Sequence, residues 1–446
     1  MKQRLAALAA ALRLPDIRQR IFFVMGMFAV YVACAHVPLP GVNLEALENL
    51  FQGGNVFELF NTFVGGSLKR FSVLSLGIMP YINASIIMQL LVMAVPALEQ
   101  LQKEGEYGQK KINAWTKYMT VVLAFVQAAG MITYFRAAGA YSGGVVETVF
   151  GIVMMTAGTS FLMWLGDMIT AKGIGQGVSL IIFVGIMTTI PQQVAQTVIL
   201  YKGGQIGIAN IAVLVLLFTA TIYGIVKVTK AQRKIPVQYA KRVKGNKVYG
   251  GTTTFLPLRV NQAGVIPIIF AISVVLFPAT IAQFLDNPNF VGGVSRALSF
   301  LHVTADGVRN AIGGMKDFTT PGHNWFASLL YFLMVVVFTY FYTAVTFNPE
   351  QIAENLQKNG GAVPGIRPGE RTRDYLDRIL YRITLAGALF LGVVALMQYY
   401  VSDITGVTTF GLVGGTSLLI VVGVALDTME QIEAQLLMRH YKGFLS

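Results

Sequence analysis

Residues 57–95 read FELFNTFVGGSLKRFSVLSLGIMPYINASIIMQLLVMAV and form an apolar segment that is interrupted close to its start. Gly65, Gly66, Lys69 and Arg70 break the segment, and the part that follows is long enough to cross a bilayer. A short broken piece followed by a full span is more than a simple anchor needs. Irregular backbone at membrane depth is tolerated only where protein or a water-filled cavity surrounds it. The segment therefore predicts a pore or cavity.

The composition extends this prediction to the whole chain. Of its 446 residues, 54% are hydrophobic and 12% are charged, whereas a soluble domain carries about 25% charged residues. Apolar stretches of roughly 20 residues, the length that crosses a bilayer, recur along the sequence. We therefore predict an all-α membrane protein with ten transmembrane helices, near residues 21–38, 73–95, 118–135, 148–170, 177–199, 206–226, 263–285, 325–346, 383–402 and 408–427.

The cationic side chains predict the orientation of these spans. When the ten spans cross the membrane alternately, 27 of the 34 Lys and Arg residues fall on one side. The positive-inside rule then places that side, and both termini, in the cytoplasm. Because each half of the chain has an odd number of spans, the second half enters the membrane from the opposite face. We therefore predict two inverted five-helix halves.

The predicted organisation divides the chain into four parts. Residues 1–20 are expected to form an amphipathic helix on the cytoplasmic membrane surface. The N-terminal half covers residues 21–199, the C-terminal half covers 200–427, and a cytoplasmic tail covers 428–446.

Two long cytoplasmic loops interrupt the C-terminal half. The loop at 227–262 has the alternation and the turn residues of a β-hairpin. The loop at 347–382 predicts a short helix at Pro349–Lys358, followed by a tight turn at 364–369.

Few side chains could carry chemistry at membrane depth. Cys34 is the only cysteine and the four histidines are scattered, so the sequence predicts no metal or thiol site. It contains no phosphate loop and no recognisable Ser–His arrangement, and we predict neither enzyme activity nor a cofactor. Asp167 lies near the cytoplasmic end of a span, and Asp427 lies at the cytoplasmic boundary of the last span. Both are expected to pair with nearby Lys or Arg rather than to relay protons.

Isoleucines recur beside proline or glycine in four of the spans. Ile78, Ile82 and Ile86 are spaced at i, i+4 and i+8, which places them on one stripe of a helix. The others of this set are Ile182, Ile186, Ile269 and Ile420. If they converge, they form a narrow ring that excludes ions by dewetting yet yields to a larger chain. Ordinary packing between helices, or contact with lipid, is the alternative.

Prolines and polar side chains point to a weak seam between helices. Pro80, Pro267 and Pro278 are expected to kink the second and seventh spans. Polar groups lie on the second, third and seventh spans, at Asn83, Gln127 and Ser273. They indicate either ordinary interhelical hydrogen bonds, each worth less than about 2 kcal/mol, or a seam that can part.

The basic loop at 227–262 has more positive charge than topology needs. It contains nine cationic residues, with Tyr239 and Tyr249 between them. A phosphate-rich partner such as ribosomal RNA, or an acidic protein surface, is the corresponding hypothesis. Two other functions remain open at this point. A 5+5 inverted-repeat secondary transporter would have a substrate site at mid-membrane, and a structural scaffold would tolerate closure of the seam.

Several long motifs resemble those of a known family. They are PDIRQRI (15–21), LGIMPYINASIIMQLL (76–91), GEYGQKKINAWTKY (105–118), GIGQGVSLIIF (173–183), VNQAGVIPIIFAISVVLFPAT (260–280), NPEQIAENLQKNGGAVPGIRPGERT (348–372) and GGTSLLIVVGVALDTMEQ (414–431). Over essentially its whole length the chain is similar to the SecY family, the central subunits of the bacterial protein-translocation channel.

This resemblance implies a function and a set of partners. It implies a clamshell of two five-helix halves that passes unfolded polypeptides across the cytoplasmic membrane and releases hydrophobic segments laterally into lipid. Energy would come from the motor SecA or from the translating ribosome, because the sequence contains no nucleotide site. SecE, SecG, SecDF and YidC are the implied membrane partners, and chains with signal sequences are the implied substrates.

The resemblance also implies roles for individual residues. Ile78, Ile82, Ile86, Ile182, Ile186, Ile269 and Ile420 match the pore ring. The plug half-helix would comprise Asn61, Thr62, Phe63, Val64, Gly65, Gly66, Ser67, Leu68, Lys69, Arg70 and Phe71. Asn83, Gln127, Ser273 and Phe277 would lie at the lateral gate, which forms between spans two and three on one side and seven and eight on the other. Lys241, Arg242 and Arg367 would take part in docking SecA or the ribosome.

Overall fold

A computed structural model describes residues 14–43, 45–47, 61, 64–239, 242–244, 247–249, 253–285, 313–314, 324–407 and 415–442. The predicted surface helix at 1–20 lies outside these residues up to position 13, and positions 15–20 already belong to the first helix. That helix therefore begins at Pro15, ahead of the predicted start of the first span at 21.

The described residues form twelve helices and five strands. The helices are α1 Pro15–Ala35, α2 Met79–Ala94, α3 Pro96–Lys103, α4 Glu106–Ala137, α5 Val145–Lys172, α6 Gly177–Lys202, α7 Ile208–Lys230, α8 Ile266–Leu285, α9 Trp325–Thr346, α10 Pro349–Lys358, α11 Glu370–Thr405 and α12 Thr416–Lys442. The strands are β1 Gln232–Tyr239, β2 Arg242–Lys244, β3 Lys247–Tyr249, β4 Thr253–Arg259 and β5 Gly361–Ala362.

Each of the ten predicted spans overlaps one of these helices, in order α1, α2, α4, α5, α6, α7, α8, α9, α11 and α12. In the described parts of the chain, seven of the ten are both long enough and apolar enough to cross a bilayer, and α2 joins α3 at a bend of 99° to form an eighth candidate. The remaining two are α8, whose side chains are continuously described only over Ile266–Val275, and α12, which becomes acidic from Asp427 onward. The architecture is the predicted all-α, ten-helix membrane fold.

The two halves of the chain meet along two seams. Helices α1, α2, α4, α5 and α6 form the first half, and α7, α8, α9, α11 and α12 form the second. On one side α8 packs against α2 and α4, and on the other side α12 packs against α6. Most other helix contacts stay within one half, such as those of α4 with α5 and of α9 with α11. The halves are therefore joined by few helix pairs.

The second span begins later than the sequence indicates. Residues 64–78 form consecutive turns rather than a regular half-helix, and α2 begins only at Met79. Four residues in this stretch have positive φ angles, at Gly65 (71°), Gly66 (79°), Phe71 (45°) and Gly77 (56°). A right-handed helix cannot accommodate such angles. We call residues 64–71, the continuous described part of the predicted plug, the turn segment.

Two prolines start helices instead of kinking them, which corrects the prediction. Pro80 is the second residue of α2 and Pro267 the second residue of α8. In the first helical turn the missing N–H of proline has no partner to lose, and its fixed φ angle suits the helix. Pro278 does lie inside α8, and Pro191 lies inside α6.

The two basic loops fold together into one unit on the basic face of the molecule. Strands β1 and β4 pair antiparallel, and β2 and β3 continue the same register, so the loop at 227–262 is the predicted β-hairpin. Strand β5, from the other loop, pairs with β1 at Gln238 and Tyr239. Apolar side chains beneath this sheet form a separate core with the start of α11: Ile235, Leu258, Phe347, Val363, Leu376, Ile379 and Leu380.

Candidate functional site

The seven isoleucines singled out from the sequence are all buried in one apolar cluster. They come from the start of α2, from α6, from α8 and from α12, and their exposed fractions lie between 1% and 9%. Helices α2 and α6 belong to the first half and α8 and α12 to the second, so the cluster lies where the halves meet. The same cluster continues into the buried faces of α1, α5, α9 and α11. We call these seven residues the isoleucine cluster.

The turn segment packs against α6 beside the isoleucine cluster. Gly65 lies so close to Gly185 that a β-carbon on Gly65 would be 2.8 Å from the Cα of Gly185 and 2.9 Å from its carbonyl oxygen. Gly185 lies between Ile182 and Ile186 in the sequence of α6. The hydroxyl of Thr188 is 3.3 Å from the carbonyl oxygen of Gly65. The turn segment is therefore in backbone contact with the helix that carries two of the seven isoleucines.

A second helix holds the same end of the turn segment. The hydroxyl of Tyr31, on α1, donates a hydrogen bond of 3.0 Å to the carbonyl oxygen of Val64. This tyrosine is 2% exposed, so its hydroxyl has little access to solvent. The hydroxyl of Ser67 donates to the same carbonyl at 2.9 Å. Asn61 braces the segment internally, because its side-chain oxygen accepts a hydrogen bond from the backbone N–H of Lys69 at 2.9 Å.

The other end of the turn segment contacts α1 and α4. The ring of Phe71 packs edge-on against Phe135, with 4.9 Å between centroids. Its carbonyl oxygen accepts a hydrogen bond from the backbone N–H of Leu39 at 2.9 Å. The guanidinium of Arg70 donates to Nε2 of His36 at 2.6 Å, and Nδ1 of His36 lies 2.8 Å from the carbonyl oxygen of Val32. Thr62 and Phe63, also assigned to the plug, lie outside the described residues.

Among the described side chains, no hydrogen bond joins α8 to α2 or α4. Ser273, on α8, is buried, and its hydroxyl donates to the carbonyl oxygen of Ile269 in its own helix at 2.7 Å. Asn83 on α2 and Gln127 on α4 are half-buried, and neither bonds to Ser273 or to any other described residue. The side chain of Phe277 lies outside the described residues. Apolar packing accounts for the described part of this seam.

The opposite seam is closed by polar and apolar contacts at the basic face. The side-chain oxygen of Gln431, on α12, accepts a hydrogen bond of 2.9 Å from the backbone N–H of Gly175, just before α6. Ile17, Ile174 and Ile432 form a small buried cluster beside it. This side joins α1, α6 and α12 through a hydrogen bond and a small apolar cluster of described residues.

The residues expected to dock a motor or the ribosome lie on the unit formed by the two loops. Arg367 is exposed in the turn before α11, where its carbonyl oxygen accepts a hydrogen bond from the hydroxyl of Thr372 at 2.9 Å. Arg242 is in β2, opposite Tyr249, and Lys241 lies outside the described residues. Strand β5 begins six residues before Arg367 and pairs with β1. The structure therefore brings together two loops that the sequence presents as separate.

One of the two expected carboxylate pairings forms. Asp167 forms an ion pair of 2.5 Å with Lys117, as expected. Asp427 forms no ion pair with a described residue, which corrects that expectation. The reason is geometric, because the nearby Arg259 pairs with Glu430 at 2.8 Å instead. The Arg259–Glu430 pair also ties strand β4 to α12.

Some contacts of this site could not be found by the sequence reasoning. Tyr31, Gly185 and Thr188 were not selected, although each touches the turn segment. A phenol inside the first apolar span was the one available signal, because a tyrosine hydroxyl in an apolar environment needs a partner. Gly185 was noticed only as the glycine between Ile182 and Ile186, and no local signal indicates its contact with Gly65.

Comparison with known proteins places the chain in a broad sequence family. The sequence profile of the SecY family matches residues 72–429. The chain is 45% identical to protein translocase subunit SecY of Halalkalibacterium halodurans over 97% of this chain and 98% of that protein. It is 43% identical to the protein of the same name from Aquifex aeolicus, over 98% of this chain and 99% of that protein.

Solved structures with the same fold are more distant in sequence. A protein-conducting channel superimposes with a TM-score of 0.65 at 18% identity, covering 95% of this chain and 93% of that one. Sec61 in the canine ribosome–channel complex from the endoplasmic reticulum superimposes with a TM-score of 0.62 at 17% identity, with the same coverage. These similarities concern the fold.

Proposed function

The chain belongs to the SecY family, and we propose that it is a protein-conducting channel that passes unfolded polypeptides across the cytoplasmic membrane and releases hydrophobic segments laterally into it. One structural observation is the main support for this mechanism. Seven isoleucines from four spans and from both halves are buried in one cluster, and the turn segment packs directly beside them. The relatives are translocase subunits, so a secondary transporter is not favoured.

The isoleucine cluster is the constriction of the channel. Branched apolar side chains that meet in a narrow ring repel water, and a dry constriction blocks ions by dewetting. A polypeptide can pass because it displaces side chains that are attached to separate helices and to separate halves. The ring therefore needs no polar group to be selective, and its tightness depends on how closely the halves approach.

The turn segment is the plug that covers this constriction. It is seated against α6 by the contact of Gly65 with Gly185 and against α1 by the hydrogen bond from Tyr31 to Val64. These contacts are non-covalent and combine apolar packing with single hydrogen bonds, so the plug can leave when a polypeptide enters. The hydroxyl of Thr188 also lies 2.7 Å from the carbonyl oxygen of Gly185, and this acceptor remains available when the plug moves away.

The seam between α8 and the pair α2 and α4 is the lateral gate. The three polar side chains named for this gate form no hydrogen bond to one another, and apolar contacts part without leaving buried donors unpaired. A hydrophobic segment at the open gate partitions by its own transfer free energy. That energy is about −0.3 to −0.6 kcal/mol for each Leu, Ile, Phe or Val at mid-depth. The opposite seam, tied by Gln431, acts as the hinge.

Orientation and partners complete the proposal. The basic face is cytoplasmic, both termini lie there, and the membrane is the bacterial inner membrane. The unit formed by the two loops docks SecA or the ribosome, which supply the energy, and SecE and SecG are small membrane partners, with SecDF and YidC further associates. Support comes from the exposed position of Arg367 on an ordered turn and from the solved Sec61 structure, which is described as part of a ribosome–channel complex.

Locking the lateral gate tests the function. Cysteines replace Asn83 and Phe277 in a Cys34→Ser background, are joined by a short bifunctional thiol reagent, and passage of a presecretory chain into reconstituted vesicles is measured. We expect joined channels to stop passage and to recover when the link is cleaved. A control pair at Ser328 and Tyr400, whose side chains meet inside the second half at 3.1 Å, is expected to leave passage unchanged. Unimpaired passage of the presecretory chain with the gate locked would contradict the proposal that this protein is a channel with a lateral gate.

A further inference from the structure

A groove at the membrane boundary of the second half has no role in the proposal above. It lies between the end of α9, the start of α10 and the first part of α11, and its volume is about 480 Å³. Apolar and aromatic side chains form most of its wall, including Tyr340, Ala344, Phe347 and Tyr381, while Arg378 and Arg382 lie at its edge. The groove is therefore part apolar and part cationic.

The groove lies at the depth of lipid head groups. Helix α9 ends at Thr346 on the basic face, and the apolar span inside α11 is predicted to begin near residue 383. The rings of Tyr340 and Tyr381 are 5.0 Å apart, and the hydroxyl of Tyr340 donates to the backbone carbonyl of Tyr381 at 3.2 Å. Tyrosines are enriched at this level of membrane proteins, because the ring prefers the apolar side and the hydroxyl prefers water.

The two arginines of the groove are available to a ligand. Arg378 and Arg382 are four residues apart on α11, so their side chains lie on the same face of the helix. Both are exposed, and neither forms a hydrogen bond or ion pair with a described residue. Asp377 also lines the groove, which leaves a net charge of one positive unit. The unpaired guanidinium groups attract an anion to a place where the remaining wall is apolar.

We propose that this groove binds one anionic phospholipid from the leaflet on the basic face. Its phosphodiester lies between Arg378 and Arg382, because guanidinium groups form strong, charge-assisted hydrogen bonds with phosphate oxygens. One acyl chain follows the apolar wall past Ala344. Basic pockets between transmembrane helices on the cytoplasmic side are suited to such head groups. The inference relies on the orientation proposed above but not on channel activity.

The site has a structural consequence for the loop that carries Arg367. Phe347 and Pro349, at the junction of α9 and α10, line the groove. A bound lipid therefore contacts both the junction that leads into this loop and the helix α11 that follows it. Occupancy is expected to restrain the loop on its membrane side.

The test measures lipid binding rather than transport. The full-length protein is placed in nanodiscs of phosphatidylcholine that contain increasing amounts of a photoreactive phosphatidylglycerol, and labelling of residues 340–349 and 377–384 is followed by mass spectrometry. We expect saturable labelling at these positions. The double variant Arg378→Gln/Arg382→Gln is expected to raise the half-saturating lipid fraction about 25-fold, at about fivefold for each arginine removed.

Two further variants separate a built groove from general surface charge. Lys227→Gln/Lys230→Gln removes two charges from the end of α7 on the same face and is expected to leave labelling within about twofold. Ala344→Trp keeps both arginines but fills the groove, and it is expected to reduce labelling as strongly as the arginine variant. Photoreactive phosphatidylethanolamine is expected to label weakly.

Three results would overturn the proposal. They are equal losses in the two charge variants, unchanged labelling in Ala344→Trp, or equal labelling by the zwitterionic lipid. Loss of labelling when a membrane partner is added would also overturn the proposal, because the groove would then be a protein interface in the assembled complex. Thermal unfolding midpoints for every variant verify that each protein is folded.

Discussion

Gly65 and Gly185 touch backbone to backbone, and this contact seats the turn segment on the helix that carries Ile182 and Ile186. Gly65 has a φ angle of 71°, and a β-carbon there would lie 2.8 Å from the Cα of Gly185. A plug that is held by such close contact is sensitive to a single methyl group. The seating of the proposed plug therefore depends on a close steric fit at this contact as well as on the hydrogen bond from Tyr31.

The first prediction concerns this contact. Gly65→Ala adds backbone strain of about 1–2 kcal/mol and forces the turn segment away from α6. We expect it to increase ion leakage through reconstituted channels at rest, as measured by vesicle ion flux. Gly66→Ala is the matched control, because Gly66 also has a positive φ angle of 79° but its β-carbon would meet nothing closer than 4.0 Å. Equal leakage from the two variants would show that strain alone, and not the contact, matters.

The second prediction concerns the hydrogen bond from Tyr31. Tyr31→Phe removes the donor to the carbonyl oxygen of Val64 and is expected to weaken the closed state by about 0.5–1.5 kcal/mol. Resting ion flux should therefore rise roughly two- to tenfold. Thr188→Val is expected to have a smaller effect, because the Thr188 hydroxyl divides its hydrogen bond between Gly65 and Gly185. A larger rise in ion flux for Thr188→Val than for Tyr31→Phe would contradict this prediction, because the contact of Thr188 with Gly65 would then matter more than the hydrogen bond from Tyr31.

The third prediction separates a pore ring from an ordinary core. In a packed core, Ile186→Ala would cost about 2–5 kcal/mol of stability. At a constriction that opens to a funnel, we expect a small shift of the unfolding midpoint together with a large rise in ion flux. Leu162→Ala, on α5 in the same apolar cluster, provides the comparison, with lost stability and little added flux. If Ile186→Ala behaves as Leu162→Ala does, Ile186 is core and not ring.

The fourth prediction concerns docking on the basic face. Arg367→Gln is expected to weaken association with the ribosome or SecA and to lower the dependence of the binding constant on salt. If the arginine contacts one phosphate of ribosomal RNA, the slope of log K against log salt should fall by about one. Lys103→Gln, which lies outside the two loops and whose ammonium group pairs with Glu99 at 2.6 Å, is the control and should change neither quantity. Salt-independent ribosome binding would argue against an electrostatic interface.

Local composition was enough to predict the spans and the β-hairpin of the basic loop. Hydropathy sums transfer free energies over a window of neighbouring residues, so each of the ten spans could be predicted without knowledge of its partners. The hairpin at 227–262 was predictable because alternation and turn residues are local signals as well. The start of α2 could not be predicted in this way. It depends on positive φ angles at Phe71 and Gly77, and those angles depend on what residues 64–78 pack against.

The sequence by itself determined the class of protein, the number of spans, the charge asymmetry and the family resemblance, since all of these are properties of residues taken in order. Only the tertiary structure determined that β5 pairs with β1, that Arg259 forms its ion pair with Glu430, and that Gly65 contacts Gly185. Each of these contacts joins positions more than a hundred residues apart. Their existence depends on the shape of both partners at once, and no single stretch of sequence records that shape.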